Sequence, residues 1–127
     1  MNNTVARAIE EIRASFPGSL VTTFDDGQGG AWFFVDGVDP GPVYATRNIW
    51  VGADIGPQYP YADVYPVFVS GELQRADGRQ LGEATSMNVG FHGRNSVQIS
   101  RRSNHREPGL ETAAMKIQKV LAWLASR

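Results

Sequence analysis

The sequence predicts an α+β domain: an N-terminal helix, a four-stranded antiparallel meander, a long loop and a C-terminal helix packed on the sheet. Three observations carry this reading. Apolar residues recur at helical spacing at both ends of the chain. Between them lie short β-rich runs separated by Asp, Gly and Pro. A long polar stretch then precedes the last apolar stripe. The chain has 127 residues, 42% hydrophobic and 20% charged, so a single folded domain over 1–127 is expected rather than a disordered chain.

Val5, Ala8, Ile9, Ile12 and Phe16 share one helical face, with Asn3 or Thr4 as the cap and Pro17-Gly18 as the stop. "SLVTTF" (19–24) and "AWFFVDG" (31–37) read as two strands of a hairpin around "DDGQGG". That glycine-rich turn lacks the Lys-Ser/Thr and the strand-to-helix setting of a phosphate loop. "RNIWVGADI" (47–55) and "YPVFVSGEL" (65–73) read as the third and fourth strands. Residues after Leu73 read as loop, with "SVQIS" (96–100) as one short strand or extended segment. Leu110, Ala113, Ala114, Ile117, Val120, Leu121 and Leu124 form the apolar face of the last helix. Glu111, Lys116, Gln118 and Lys119 are placed off that face, and Pro108 near its first turn.

A net charge of −1 gives no global field for nucleic acid or an acidic membrane. No apolar run approaches a membrane span, and "MNNTVARAIEEIR" lacks the basic start and apolar core of a secretory signal, so the cytoplasm is the default location. There is no cysteine, which removes disulfides, thiolate metal sites and thiol catalysis. His92 and His105 lack companions at metal-ligand spacing, so no metal and no cofactor is expected.

Two Tyr-Pro pairs, Tyr59-Pro60 and Tyr65-Pro66, stand ahead of the fourth strand. Proline has no N–H to give a ladder, so the pairs belong in an extended crossing between strands, with the tyrosine rings packed beneath it. With the order of elements, this stretch resembles the ubiquitin-conjugating fold and the related RWD domains, in a short form of bacterial type. "REPGLETAAMKIQKVLAWL" is similar to the segment that opens the family's second large helix, with Pro108 and Leu110 at matching places; Arg106 or Glu107 stands where a tryptophan is common. The two helices that follow in full conjugating enzymes have no counterpart in this chain.

The resemblance implies where chemistry would sit. The family's catalytic cysteine falls, counting on from Tyr59, in "LGEATSMN", where Ala84, Thr85 and Ser86 stand instead. The His-Pro-Asn signature before the cysteine is absent too. The resemblance therefore implies a catalytically inactive, conjugating-enzyme-like binding module, with a ubiquitin-like modifier, an activating enzyme or another conjugating enzyme as partner. The alternatives are an active conjugating enzyme whose cysteine near Ala84 has been replaced, an oxygen nucleophile at Thr85 or Ser86, and an unrelated small α+β adaptor or chaperone. Candidate binding residues are Tyr59, Pro60, Tyr65, Pro66, Arg101, Arg102 and His105. The basic run around Arg94, Arg101, Arg102, His105 and Arg106 is either an electropositive surface or a solvated loop with one or two structural ion pairs. Nucleic acid is the less favoured partner, and no membrane partner is expected.

Overall fold

The computed structural model describes residues 1–127. The order is α1 (Asn3–Ser15), β1 (Leu20–Asp25), β2 (Ala31–Val38), β3 (Ile49–Ile55), β4 (Val67–Ser70), β5 (Thr85–Phe91), β6 (Arg94–Ile99) and α2 (Ala113–Ala125). All neighbours pair antiparallel, in the order β1-β2-β3-β4-β6-β5. The α+β character and both helices stand. The four-stranded meander does not: β1 to β4 follow one another as expected, but the sheet has six strands. After Leu73 the chain supplies a hairpin: β5 lies in what reads as loop, while β6 overlaps the short segment expected at 96–100 and pairs with β4.

That hairpin turns at His92-Gly93, with Phe91 opposite Arg94. Both turn residues have positive φ, 45° and 85°. This is the requirement of the tight two-residue turn that matches strand twist.

Each helix starts on a side-chain cap. Asn2, rather than Asn3 or Thr4, accepts from Val5 N at 2.9 Å. Thr112 accepts from Met115 N at 3.2 Å, so Pro108 and Leu110 lie before α2, and Leu110 is exposed. Both helices cover one face of the sheet. Val5, Ala8, Ile9 and Ile12 meet Ala113, Ile117, Val120 and Leu124 over Phe33, Val35, Val51, Ile55, Val69 and Val97. Lys116 is a correction: it is buried, not on the outer face. It lies three residues after Ala113 and four before Val120, a spacing that places it on the inward stripe.

The opposite face carries a second, aromatic core of Phe34, Phe68 and Phe91, with Trp32 and Trp50 packed against it. Phe91 stacks on Phe68 at 4.3 Å between centroids and meets Phe34 edge-on at 5.5 Å. His92 stacks on Trp32 at 4.0 Å, although three strands separate β2 from β5 in the sheet. The sheet therefore curls, and the β5–β6 turn folds back over its own open face. Gly52 makes room for this. A Cβ there would stand 2.5 Å from Phe33 O and 3.1 Å from Phe91 Cε2.

Candidate functional site

The tyrosine–proline crossing lies between β3 and β4, as expected from the missing proline donors, but its first part, 57–62, is a run of tight turns rather than an extended segment. Tyr59 N donates to Gly56 O, and Tyr61 N to Gln58 O. Both Tyr-Pro peptide bonds are cis. The Tyr59 ring is buried beneath the crossing, and its hydroxyl oxygen accepts from Ala113 N at 2.8 Å. It thus satisfies a free amide in the first turn of α2. Burial raises the Tyr59 pKa, with the Ala113 N–H working against it. At the other end of α2, Tyr44 Oη donates to Leu124 O at 2.9 Å. Two buried tyrosines therefore hold the two ends of one helix. Tyr59→Phe is expected to cost about 1–2 kcal/mol, the penalty for an unpaired buried donor, read as a lower urea midpoint with an unchanged slope.

Asp63, in the same crossing, anchors the basic segment. Its carboxylate accepts from Lys116 Nζ at 3.0 Å and from Ser103 N at 3.1 Å, and Arg106 Nε lies 3.5 Å away. Lys116 Nζ also donates to Arg101 O at 2.9 Å and Ser103 Oγ at 3.0 Å. Burial pushes the Asp63 pKa up. The Lys116 ammonium, the Ser103 amide and Arg106 outweigh it and hold the carboxyl below its ordinary value. Arg106 is thus a structural ion pair.

With its backbone fixed from below, the segment presents Arg101 and Arg102 outward, both exposed. The Arg102 guanidinium lies 4.1 Å from the Tyr65 ring centroid. Arg101 lies 4.7 Å from the Trp123 ring centroid, and Arg127 lies 4.4 Å from the same ring. Two clefts open here. One of about 400 Å³ is lined by Tyr65, Ala84, Ser100, Arg101, Arg102 and Asn104. One of about 280 Å³ runs along α2 past Lys116, Lys119 and Trp123. Arg101, Arg102 and Asn104 line both, so the two form one track.

Of the residues singled out from sequence, the structure brings Tyr65, Ala84, Arg101 and Arg102 into one cleft. Tyr59 is a helix-holding residue instead. Pro60, Pro66 and His105 line neither cleft, and His105 is exposed at φ 52°. Thr85 and Ser86 open β5, and Thr85 Oγ1 donates to Gly82 O at 2.6 Å. Ala84 has φ 62°, in the left-handed region that a side chain with a Cβ seldom adopts. Sequence reasoning missed Trp123 and Lys119 as cleft residues; their place beside the Arg101-Arg102 pair depends on how α2 docks.

A larger cleft, about 530 Å³, lies elsewhere, around Asp36, Trp50, Glu72 and Arg94. Its cation is already committed. Arg94 pairs with Asp36 at 3.0 Å and covers the Phe34 ring at 3.8 Å, bracing the aromatic face. The basic track, whose two leading arginines have no ion-pair partner, is the better candidate site.

Compared with protein-family models, with curated proteins and with solved structures, the chain matches none.

Proposed function

We propose that this chain is a non-catalytic protein-binding module in a ubiquitin-like modification pathway. Its partner would be the modifier, an activating enzyme or an active conjugating enzyme. The observation that carries the reading is the cleft at Ala84. Three segments distant in sequence converge there: Tyr65 of the second Tyr-Pro pair, Ala84, where the resemblance would put a nucleophile, and Arg101-Arg102 ahead of α2. Further support comes from the tyrosine–proline crossing between β3 and β4 and from the helices at the two ends of the chain. The β5–β6 hairpin favours a second reading, an unrelated α+β adaptor or chaperone, because that hairpin is not part of the layout on which the resemblance rests.

The test uses the unmodified chain beside separate Ala84→Cys, Thr85→Cys and Ser86→Cys variants. Each is mixed with activating enzyme, ATP and candidate modifiers. Binding of a modifier or activating enzyme by the unmodified chain, with no thioester on any variant, is the expected result. A band on one variant that vanishes with reducing agent would instead favour an enzyme whose cysteine has been replaced. Neither band nor binding would sink the pathway reading and leave the adaptor.

A further inference from the structure

We infer that the track between residues 101–104 and α2 is a receptor for acidic polypeptide segments. This names the partner chemistry of the binding module proposed above and rests on that reading. The first observation is charge. Arg101, Arg102, Lys116 and Lys119 line the track and no carboxylate does, in a chain whose net charge is −1. Asp63 is engaged by Lys116 and Arg106, and Glu111 by Lys119, so neither carboxylate pairs with Arg101 or Arg102.

The second observation is preorganisation. Lys116 holds the Arg101 carbonyl and the Ser103 hydroxyl, which fixes the backbone carrying the two arginines. Their positions over the Trp123 and Tyr65 rings then restrain the two guanidinium groups. A guanidinium so placed keeps its N–H edge for a planar acceptor, which suits the two oxygens of a carboxylate. Less side-chain freedom is lost when such an acceptor arrives.

The third observation separates a polypeptide from a nucleic acid. Sequence-tolerant binding of single strands needs aromatic faces free for bases to stack on. Here the chain's own arginines lie over Trp123 and Tyr65. Of the cations that line the two clefts, Lys116 and Lys119 are already paired, which leaves Arg101 and Arg102, few contacts for tracking a phosphate backbone.

Fluorescence anisotropy with a labelled oligoglutamate peptide tests this on the full chain. Binding that weakens as salt rises is expected, with a loss of about tenfold or more in Arg101→Glu/Arg102→Glu. Circular dichroism and the urea midpoint show whether that variant is folded. Arg101→Lys/Arg102→Lys, which keeps the charge and removes the fork, is expected to lose part of the affinity. Arg7→Glu/Arg79→Glu, the same change in net charge on exposed residues elsewhere, is expected to bind as the parent does. Equal losses in both charge-reversed variants would reduce the effect to overall charge and overturn the inference. So would no peptide binding, or tighter binding of an oligothymidylate of matched charge. If oligoglutamate fails while the modifier or activating enzyme still binds, only the acidic-segment inference falls. If all of them fail, the binding-module reading falls with it.

Discussion

Asp63→Ala is expected to destabilise the protein by about 3–5 kcal/mol, the cost of stranding a buried cation by removing its partner. The Lys116 side chain is 7% exposed and that of Asp63 is 19%, so solvent replaces little of what is lost. Arg106, also largely buried at 10%, would lose the same carboxylate. Lys116→Met combined with Asp63→Ala is expected to cost less than the sum of the single changes, because the stranded charge goes with its partner. Urea unfolding of the four proteins measures this. An additive double variant would mean that the pair does not act as a unit.

The same network sets an acid limit. Asp63 has a folded-state pKa below its unfolded value, so between the two the unfolded chain binds more protons. Its contribution is present above about pH 4 and is lost as pH falls through the folded value. Asp77, held by Arg75 and Arg79 N, is lowered to about 2, and Glu111 is lowered by Lys119. Both lie at the surface and add to the direction of the effect rather than its size. Stability is therefore expected to fall from pH 4 towards 2, and less steeply in Asp63→Ala than in the parent. Parallel pH profiles for the two would show that Asp63 is not a source of the slope.

Phe91→Ala is expected to cost about 3–5 kcal/mol by emptying the centre of the aromatic face. Phe91 meets Phe34, Trp50, Phe68 and His92, which come from four separate parts of the chain. Its loss removes one of the contacts that hold the β5–β6 turn over the sheet, beside the stacking of His92 on Trp32 and its bond to Asp54. Trp50 packs on Phe91 at 6.1 Å and Trp32 on His92 at 4.0 Å, so tryptophan emission is expected to shift to longer wavelength in the folded variant. Chemical denaturation and emission spectra check both effects. A loss below about 1 kcal/mol would mean that neighbouring rings collapse into the space.

The legible elements are those that bury one regular stripe. α1 was readable from Val5, Ala8, Ile9 and Ile12, and β2 and β3 from runs that combine β-branched and aromatic residues. β5 was not. It is an edge strand, "TSMNVGF", exposed along most of its length and broken by a register shift between Ser86 and Val89. A strand that buries little has no alternation to display, and Asn and Gly within it look like loop. The available signal was His92-Gly93, a pair that accepts positive φ at both turn positions.

The sequence by itself determined the two helices and the strands β1 to β4, because local spacing decides which face of an element can be buried; the four-stranded sheet it suggested is a six-stranded one. For the basic run it left two readings open, an electropositive surface or a solvated loop with structural ion pairs. Only the tertiary structure decided where β6 pairs, that Tyr59 and Tyr44 hold the ends of α2, and that Lys116 and Asp63 neutralise one another beneath the basic segment. These are matches between groups far apart in the chain. A buried hydroxyl or charge takes whichever partner the packed layers bring within reach, and sequence spacing carries no record of that choice.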